Sequence, residues 1–212
     1  MSRWCGSAYK LLTVMTIYLI RHTEVAVGRS ICYGGSDVAL ADNYAEQLAH
    51  IQTNLATPPN VIWASPLSRC RQLAQDLALA SEVADVVEVN FDDRLREYHF
   101  GDWEMLPWSD IPRDALDQWM SDFVQLAPPN GETFQALADR VGAFWQEKIE
   151  PMVEKHPNGT IYVVSHGGVI RTLLCLFLDL SLRNAYRLNL DYGAVCKLTL
   201  TGSTYQIGYI NR

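Results

Sequence analysis

Residues 16–24 read TIYLIRHTE, a short apolar run that ends at Arg21 and His22. A second run of the same kind, IYVVSHGG at residues 161–168, ends at His166, Gly167 and Gly168. Short apolar runs without polar alternation are typical of strands that are buried on both faces of a parallel sheet. The two runs therefore predict two buried strands, each of which delivers a histidine at its carboxyl end.

The rest of the chain alternates between the same two kinds of pattern. Further strands are predicted at 61–64 and 86–89, and a closing hairpin at 195–200 and 205–210 turns near Gly202 and Ser203. Helical spacing lies between them, as in Tyr44, Leu48, Ile51 and Leu55; Leu67, Leu73, Leu77 and Ala80; Phe134, Leu137, Val141, Phe144 and Trp145; and residues 169–178. Such alternation predicts an α/β fold of three layers, α/β/α, with a mostly parallel sheet.

Residues 102–132 interrupt this rhythm. The segment is rich in Trp, Asp and Pro and is longer than an ordinary connection, which predicts a helical lid insertion over one end of the sheet. Its residues Trp103, Trp108 and Trp119 can stack on a flat heterocycle or form the core of the lid, and the second use is the commoner one. We expect one domain over residues 15–212, beginning at Met15, and an N-terminal extension over residues 1–14.

Composition excludes several classes of protein. A chain of 212 residues with 49% hydrophobic residues can bury a full core, and its net charge of -7 argues against a nucleic-acid partner. No run approaches the roughly 18 apolar residues of a membrane span, so no membrane partner is expected. The five cysteines include no CxxC pair and read as reduced thiols, which predicts a cytoplasmic protein. A homodimer is left open.

The polar motifs converge on one place. Ligands of open α/β sheets bind outside the carboxyl ends of the strands. Arg21 and His22 follow the first strand, residues 65–69 follow the second, Glu97 follows the third after a short connection, and His166 follows the fourth. The sequence therefore predicts one site at this edge.

The residue types at that edge suit phosphoryl transfer. Arg21, Arg69 and one histidine can neutralise the phosphate oxygens without a metal or other cofactor, and the other histidine can attack phosphorus. Glu97 can protonate the leaving oxygen. Gly167 and Gly168 open a helix, where backbone N–H groups can approach a phosphate. The expected partner is a small-molecule phosphate monoester.

These motifs resemble those of the histidine phosphatase superfamily, whose members have the phosphoglycerate mutase-like fold. The resemblance covers residues 19–24, 65–69, 95–97, 100–104 and 164–168, in the family's order and spacing. It implies that His22 is the phosphorylated nucleophile, that Arg21, Arg69 and His166 form the phosphate pocket, and that Glu97 is the proton donor.

Three further segments are similar to those of the α-ribazole phosphatases within this superfamily. They are residues 32–38, 100–105 and 130–132. The similarity implies hydrolysis of α-ribazole 5′-phosphate in cobalamin biosynthesis. Two positions depart from the family pattern, because Thr23 replaces a glycine and Gly28 stands where many members have an asparagine that touches phosphate.

Other functions remain as alternatives. A phosphoglycerate mutase-type phosphotransferase and a broad small-metabolite phosphatase would use the same residues. A non-catalytic module that binds phosphorylated ligands is disfavoured, because the chain keeps the nucleophile, the acid and the arginines together. His50, His99 and His156 have no metal-type spacing, and Arg71 reads as a surface helix residue.

Overall fold

A six-stranded sheet forms the centre of the molecule in this computed structural model, which describes residues 13–81 and 87–212. The strands are β1 (Val14–Arg21), β2 (Val61–Ala64), β3 (Glu88–Phe91), β4 (Thr160–Ser165), β5 (Val195–Thr201) and β6 (Thr204–Tyr209). Their order is β3-β2-β4-β1-β5-β6, with β1 to β4 parallel and the β5–β6 hairpin antiparallel at one edge. The prediction of a mostly parallel sheet closed by a hairpin is confirmed.

Helices cover both faces of this sheet. They are α1 (Tyr44–Thr53), α2 (Ser68–Leu79), α3 (Arg113–Ser121), α4 (Phe134–Phe144), α5 (Met152–Lys155) and α6 (Gly167–Phe177). Successive residues of β1 point to opposite faces: Tyr18 and Ile20 pack with residues of α1 and α2, whereas Ile17 and Leu19 pack with residues of α4 and α6. The three-layer prediction is thus confirmed.

Several predicted boundaries differ from the observed ones. The third strand was expected at 86–89, yet β3 spans Glu88–Phe91, and residue 86 lies outside the described residues. Among the described residues this strand pairs with β2 alone, at the sheet edge, so the polar residues Glu88 and Asn90 are tolerated in it. Helix α1 ends before Leu55, and the long helix passes at Trp145 into a π-helical turn that ends at Ile149.

The expected domain boundary between residues 14 and 15 lies close to the first described residue, residue 13. Residues 1–12 of the expected extension lie outside the described residues, and β1 begins at Val14, on the other side of the expected boundary. Met15 is fully buried. None of the helices in the described part of the chain is long and apolar enough to cross a membrane.

The 102–132 segment contains α3 and short 3-10 turns, as a helical excursion should. Its backbone is tied to the loop after β1: the Cys32 N–H donates to the Leu106 carbonyl at 2.8 Å, and the Met105 N–H donates to the Cys32 carbonyl at 2.7 Å. Trp103 and Trp119 meet edge to face at 5.7 Å inside the segment. Two of the three tryptophans therefore serve the segment's own core.

Candidate active site

Strand register brings the two histidines together. Arg21 at the end of β1 is paired with Ser165 at the end of β4, and the His22 N–H donates to the Ser165 carbonyl at 3.0 Å. The rings of His22 and His166, the residues that follow these positions, have centroids 5.1 Å apart. Adjacent parallel strands thus convert a separation of 144 residues (166 − 22) into a direct neighbour contact.

The hydrogen bond of His22 selects its tautomer. Nδ1 lies 2.7 Å from the carbonyl oxygen of Thr23, which can only accept, so Nδ1 carries the proton. A neutral ring then has its lone pair on Nε2, the atom able to attack phosphorus. The side chain is only 2% exposed, so its orientation is fixed by packing as well.

Both histidines are held in the neutral form. Burial lowers the pKa of His22 well below its ordinary value, and the charges of Arg69 and Arg21 lower it further, against a smaller opposing effect of the Thr23 carbonyl. Burial and the charge of Arg69 lower the pKa of His166 in the same way, with His22 and Arg21 adding to the effect. Neutral His22 is the nucleophilic form.

The guanidinium groups of Arg21 and Arg69 make no hydrogen bond to a carboxylate among the described residues. Arg69, in the first turn of α2, is fully buried and donates from Nη2 to the Gly34 carbonyl at 2.6 Å and from Nη1 to the Ser36 carbonyl at 2.8 Å. Arg21 donates from Nη1 to the Leu190 carbonyl at 2.6 Å. The buried Nε atoms of both arginines have no hydrogen-bond partner among the described residues. Unpartnered cationic donors of this kind point to an anion.

His166 is held by two neighbours, Ser65 from the 65–69 motif, to which the sequence analysis gave no role of its own, and Cys70, which it did not assign to the site. Its Nε2 lies 2.7 Å from the hydroxyl oxygen of Ser65 and 3.5 Å from the thiol of Cys70. Both residues flank Arg69 in the segment after β2, so the motif that supplies the arginine also fixes the second histidine.

Glu97 reaches the site, and its carboxylate binds a backbone N–H group that was expected to face the phosphate. Its two carboxylate oxygens accept the Gly168 N–H at 3.1 and 3.0 Å, and a Cβ at residue 168 would collide with this carboxylate. The expectation that Gly168 leaves its N–H to the phosphate is therefore wrong, because the first turn of α6 donates to the nearest carboxylate instead. Gly167 remains the expected contact and lies beside Arg171, whose Nη1 would be 2.8 Å from an added Cβ.

A cleft of about 340 Å³ opens over His22. It is lined by Arg21, His22 and Glu97, and by Trp108, which the sequence analysis considered for stacking. Tyr33 and Phe100, from the similar segments 32–38 and 100–105, also line it. Sequence reasoning missed the other lining residues, namely Arg29, Ile31, Arg171, Asn189, Leu190, Asp191 and Tyr192. Gly28 is not among them, although its neighbour Arg29 is. The cleft places Arg21, Arg29 and Arg171 beside an aromatic wall. Arg69, His166 and Gly167 are buried and are not among its lining residues.

Some of these missed residues left a signal in the sequence and others did not. Arg171 lies four residues after Gly167 on one face of α6, so a helix that begins at Gly167 would have predicted its position. Tyr192 gave no such signal. Its ring lies 4.1 Å from the Arg21 guanidinium carbon, and its hydroxyl lies 2.6 Å from that of Tyr33.

Other candidate residues lie away from this chemistry. Arg71 is exposed on α2, over the ring of Phe91. Within the described ranges no group of three or more His, Cys, Asp or Glu side chains is arranged to hold a metal ion.

Comparison with known proteins defines the class of protein. The family model for the histidine phosphatase superfamily, branch 1, matches residues 17–212. The chain therefore belongs to this superfamily, a class of phosphate monoester hydrolases.

The chain is also similar, at modest sequence identity, to individual proteins of known name. The chain is 29% identical to the adenosylcobalamin/alpha-ribazole phosphatase of Escherichia coli, over 84% of this chain and 87% of that protein. It is 28% identical to the metal-independent phosphoserine phosphatase of Arabidopsis thaliana, over 81% of this chain and 72% of that protein. The crystal structure of the alpha-ribazole phosphatase from Shigella flexneri superposes with a TM-score of 0.81 at 26% identity, covering 93% of this chain and 96% of that one.

Proposed function

We propose that the protein hydrolyses a phosphate monoester through a phosphohistidine on His22, and that its substrate is α-ribazole 5′-phosphate. The observation that carries the first part is the environment of His22. A buried neutral imidazole with Nδ1 bonded to the Thr23 carbonyl has its Nε2 lone pair available beside two arginines. Those arginines would neutralise the phosphoryl oxygens as the reaction proceeds.

Two displacements complete the reaction. In the first, His22 Nε2 bonds to phosphorus while the bond from phosphorus to the ester oxygen breaks, and Glu97 gives that oxygen a proton. In the second, the oxygen of water bonds to phosphorus while the bond from phosphorus to His22 Nε2 breaks, Glu97 takes a proton from the water, and inorganic phosphate leaves. Arg21, Arg69, His166 and the backbone at Gly167 hold the phosphoryl group in both steps.

The aromatic residues that line the cleft suit a substrate whose organic part is a flat ring. Tyr33, Phe100, Trp108 and Tyr192 line it, and Trp108 meets Phe100 edge to face at 5.5 Å, which holds the indole in place. Aromatic faces of this kind suit a heterocycle such as the benzimidazole of α-ribazole. The names of the Escherichia coli and Shigella relatives agree with this substrate.

One observation favours a second candidate. Arg29 and Arg171 line the cleft in addition to Arg21, so a phosphorylated carboxylic acid would also find a cation for its carboxylate. A broad metabolite phosphatase, or a phosphotransferase of the phosphoglycerate mutase type, would have such substrates. The Arabidopsis relative is named for phosphoserine.

A substrate panel separates these candidates. We expect kcat/KM for α-ribazole 5′-phosphate to exceed the values for phosphoserine, 3-phosphoglycerate and p-nitrophenyl phosphate. Trp108→Ala should lower kcat/KM for α-ribazole 5′-phosphate by about 10-fold, the order of one lost aromatic contact, and should spare phosphoserine, which has no ring. Preference for a phosphorylated acid, or transfer of phosphate between two hydroxyls, would reject the proposed substrate.

Activity is expected to survive chelation. Arg21 and Arg69 supply the positive charge, so EDTA should leave turnover unchanged while vanadate inhibits at the phosphoryl site. Loss of turnover on EDTA treatment that a divalent metal restores would contradict this mechanism.

We place this reaction in the cytoplasm. Cys32, Cys70, Cys175 and Cys196 are buried free thiols, as expected in a reducing compartment. A homodimer stays a prediction, which a measurement of molecular mass in solution tests.

A further inference from the structure

Glu104 is not one of the proposed catalytic residues, yet its carboxylate accepts hydrogen bonds from four backbone N–H groups. Its Oε1 accepts from Gly35 at 2.8 Å and Phe100 at 2.9 Å, and its Oε2 accepts from Gly34 at 3.0 Å and Ser36 at 3.1 Å. Burial alone would raise the pKa of this carboxyl, but the hydrogen bonds outweigh burial and hold the pKa below its ordinary value. Glu104 is therefore ionised at neutral pH, and each of these bonds is charge-assisted.

The segment that Glu104 binds is the one that holds Arg69. The carbonyls of Gly34 and Ser36 accept from the Arg69 guanidinium at 2.6 and 2.8 Å. Asp37 is the acidic neighbour of Arg69, but it is half-exposed and 3.9 Å from Nη1, beyond hydrogen-bond length. The loop carbonyls are thus the direct supports of the guanidinium.

Peptide geometry couples one contact of Glu104 directly to one contact of Arg69. The Gly34 carbonyl and the Gly35 N–H belong to one planar trans peptide, in which the two groups point in opposite directions. Fixing the Gly35 N–H on Glu104 therefore turns the Gly34 carbonyl toward Arg69. Gly34 has no room to move toward the loop that carries Tyr98, because even a Cβ there would collide with the Tyr98 carbonyl.

We infer that Glu104 is a positioning residue of the phosphate site, which acts by orienting the peptides of Gly34 to Ser36 so that their carbonyls hold the Arg69 guanidinium. Arg69 uses two of its five N–H donors on these carbonyls, which leaves three (5 − 2) not engaged by them. The inference rests on the proposed function in one respect, namely that Arg69 binds the phosphoryl group.

The test combines vanadate inhibition with a double-mutant cycle. Glu104→Gln replaces one accepting oxygen by an NH2 group that faces N–H donors, and should raise the Ki for vanadate by about 10- to 100-fold, the effect usual for a residue that orients a direct ligand. In an Arg69→Gln background the same change should add less than about twofold, because the contact it acts through is gone. Glu46→Gln, on the exposed face of α1, controls for the loss of one negative charge.

A pH profile gives a second readout that lost stability would not produce. The charge of Arg69 lowers the pKa of His22. Releasing Arg69 should let that pKa rise, so the acid limb of kcat/KM should move to higher pH in Glu104→Gln and stay in place in Glu46→Gln. If Glu104→Gln fails to fold, Glu104→Asp keeps the charge on a shorter side chain and should shift both readouts in the same direction by less.

The outcomes separate this inference from the proposed function. If Arg69→Gln leaves the vanadate Ki unchanged, the proposed role of Arg69 fails. If Arg69→Gln weakens vanadate but folded Glu104 variants bind it within twofold of the parent, or act additively with Arg69→Gln, Glu104 does not act through Arg69 and the inference is overturned.

Discussion

The two ring nitrogens of His22 have different environments, and under the proposed mechanism this difference decides which of them attacks phosphorus. Nδ1 is bonded to the Thr23 carbonyl, which belongs to the next residue in the chain. The tautomer is therefore set locally, whereas the low pKa of the ring comes from burial and from Arg69 on another element. The site needs both effects, because a protonated ring has no lone pair to offer.

Covalent trapping tests this assignment. A rapidly quenched reaction with labelled substrate should leave base-stable, acid-labile phosphate on His22, attached at Nε2 because Nδ1 is occupied. His22→Ala should lose both label and turnover, and His50→Ala, an exposed histidine on α1, should keep both. Label on serine or cysteine, or on Nδ1 of His22, would contradict the geometry. NMR of the phosphorylated protein distinguishes the two nitrogens.

Glu97 is tested by the choice of leaving group. Glu97→Gln cannot give up a proton, so turnover of an alkyl phosphate should fall by about 10²- to 10⁴-fold, the range for losing a general acid. The aryl ester p-nitrophenyl phosphate has a leaving group that needs little protonation and should lose much less. Equal losses for both esters would mean that Glu97 only fixes the start of α6 through Gly168.

Helix α6 shows how one element serves both core and site. Its first turn gives the Gly168 N–H to Glu97, and Arg171 lines the cleft one turn later. The rest of its inner face, including Leu173, is fully buried against the sheet. Packing of this face therefore determines where the catalytic end of the helix lies.

A matched pair of leucines on α6 measures that packing. Leu173→Ala should lower the free energy of unfolding by about 2 to 5 kcal/mol, the usual cost of a buried leucine. Leu176→Ala, on the same helix but 52% exposed, should change it by no more than about 0.5 kcal/mol. Denaturant unfolding measures both values, and a cost at Leu176 equal to that at Leu173 would show that the exposed face is covered in solution.

The 102–132 segment was predicted as a lid, and its contacts give it a second role. Glu104 and the backbone near Leu106 tie it to the loop after β1, while Trp108 forms part of the cleft wall. Under the proposed function, we expect this segment to support the phosphate site on one side and to contact the organic half of the substrate on the other.

At the scale of the whole molecule, the two buried histidines make stability depend on pH. Their pKa values lie well below the ordinary value of 6.5 in the folded protein. The unfolded chain therefore binds more protons below pH 6.5, so stability is complete above that pH and falls as the pH decreases. Each histidine contributes a slope of up to about 1.4 kcal/mol per pH unit.

This dependence is measurable between about pH 5 and 6.5, above the range in which carboxylates dominate. The free energy of unfolding should decrease with falling pH in the parent, and the slope should flatten in the double variant His22→Gln, His166→Gln. His50→Gln should leave the slope unchanged. A parent protein with no slope in this range would show that the histidines bind protons equally well in the folded protein and in the unfolded chain, which contradicts their low pKa.

The sequence by itself determined the fold class and the residues able to do chemistry. Apolar runs and helical spacing are local properties, and the runs ending at His22 and His166 predicted two parallel strands with a site at their carboxyl ends. The motifs around Arg69 and Glu97 predicted the remaining members. An edge strand such as β3 was misplaced by two residues, because its position depends on pairing with β2 and its own apolar run does not mark it.

Tertiary structure alone decided how those residues are used. The bond from Gly168 to Glu97, the contact of Ser65 with His166, and the supports of Arg69 all join segments far apart in the chain. Hydrogen-bond partners and burial depend on which segments the sheet brings within about 3 Å of one another, and no local pattern contains that information. For the same reason the four N–H bonds of Glu104 and the cleft positions of Tyr192 and Arg29 became visible only in the folded chain.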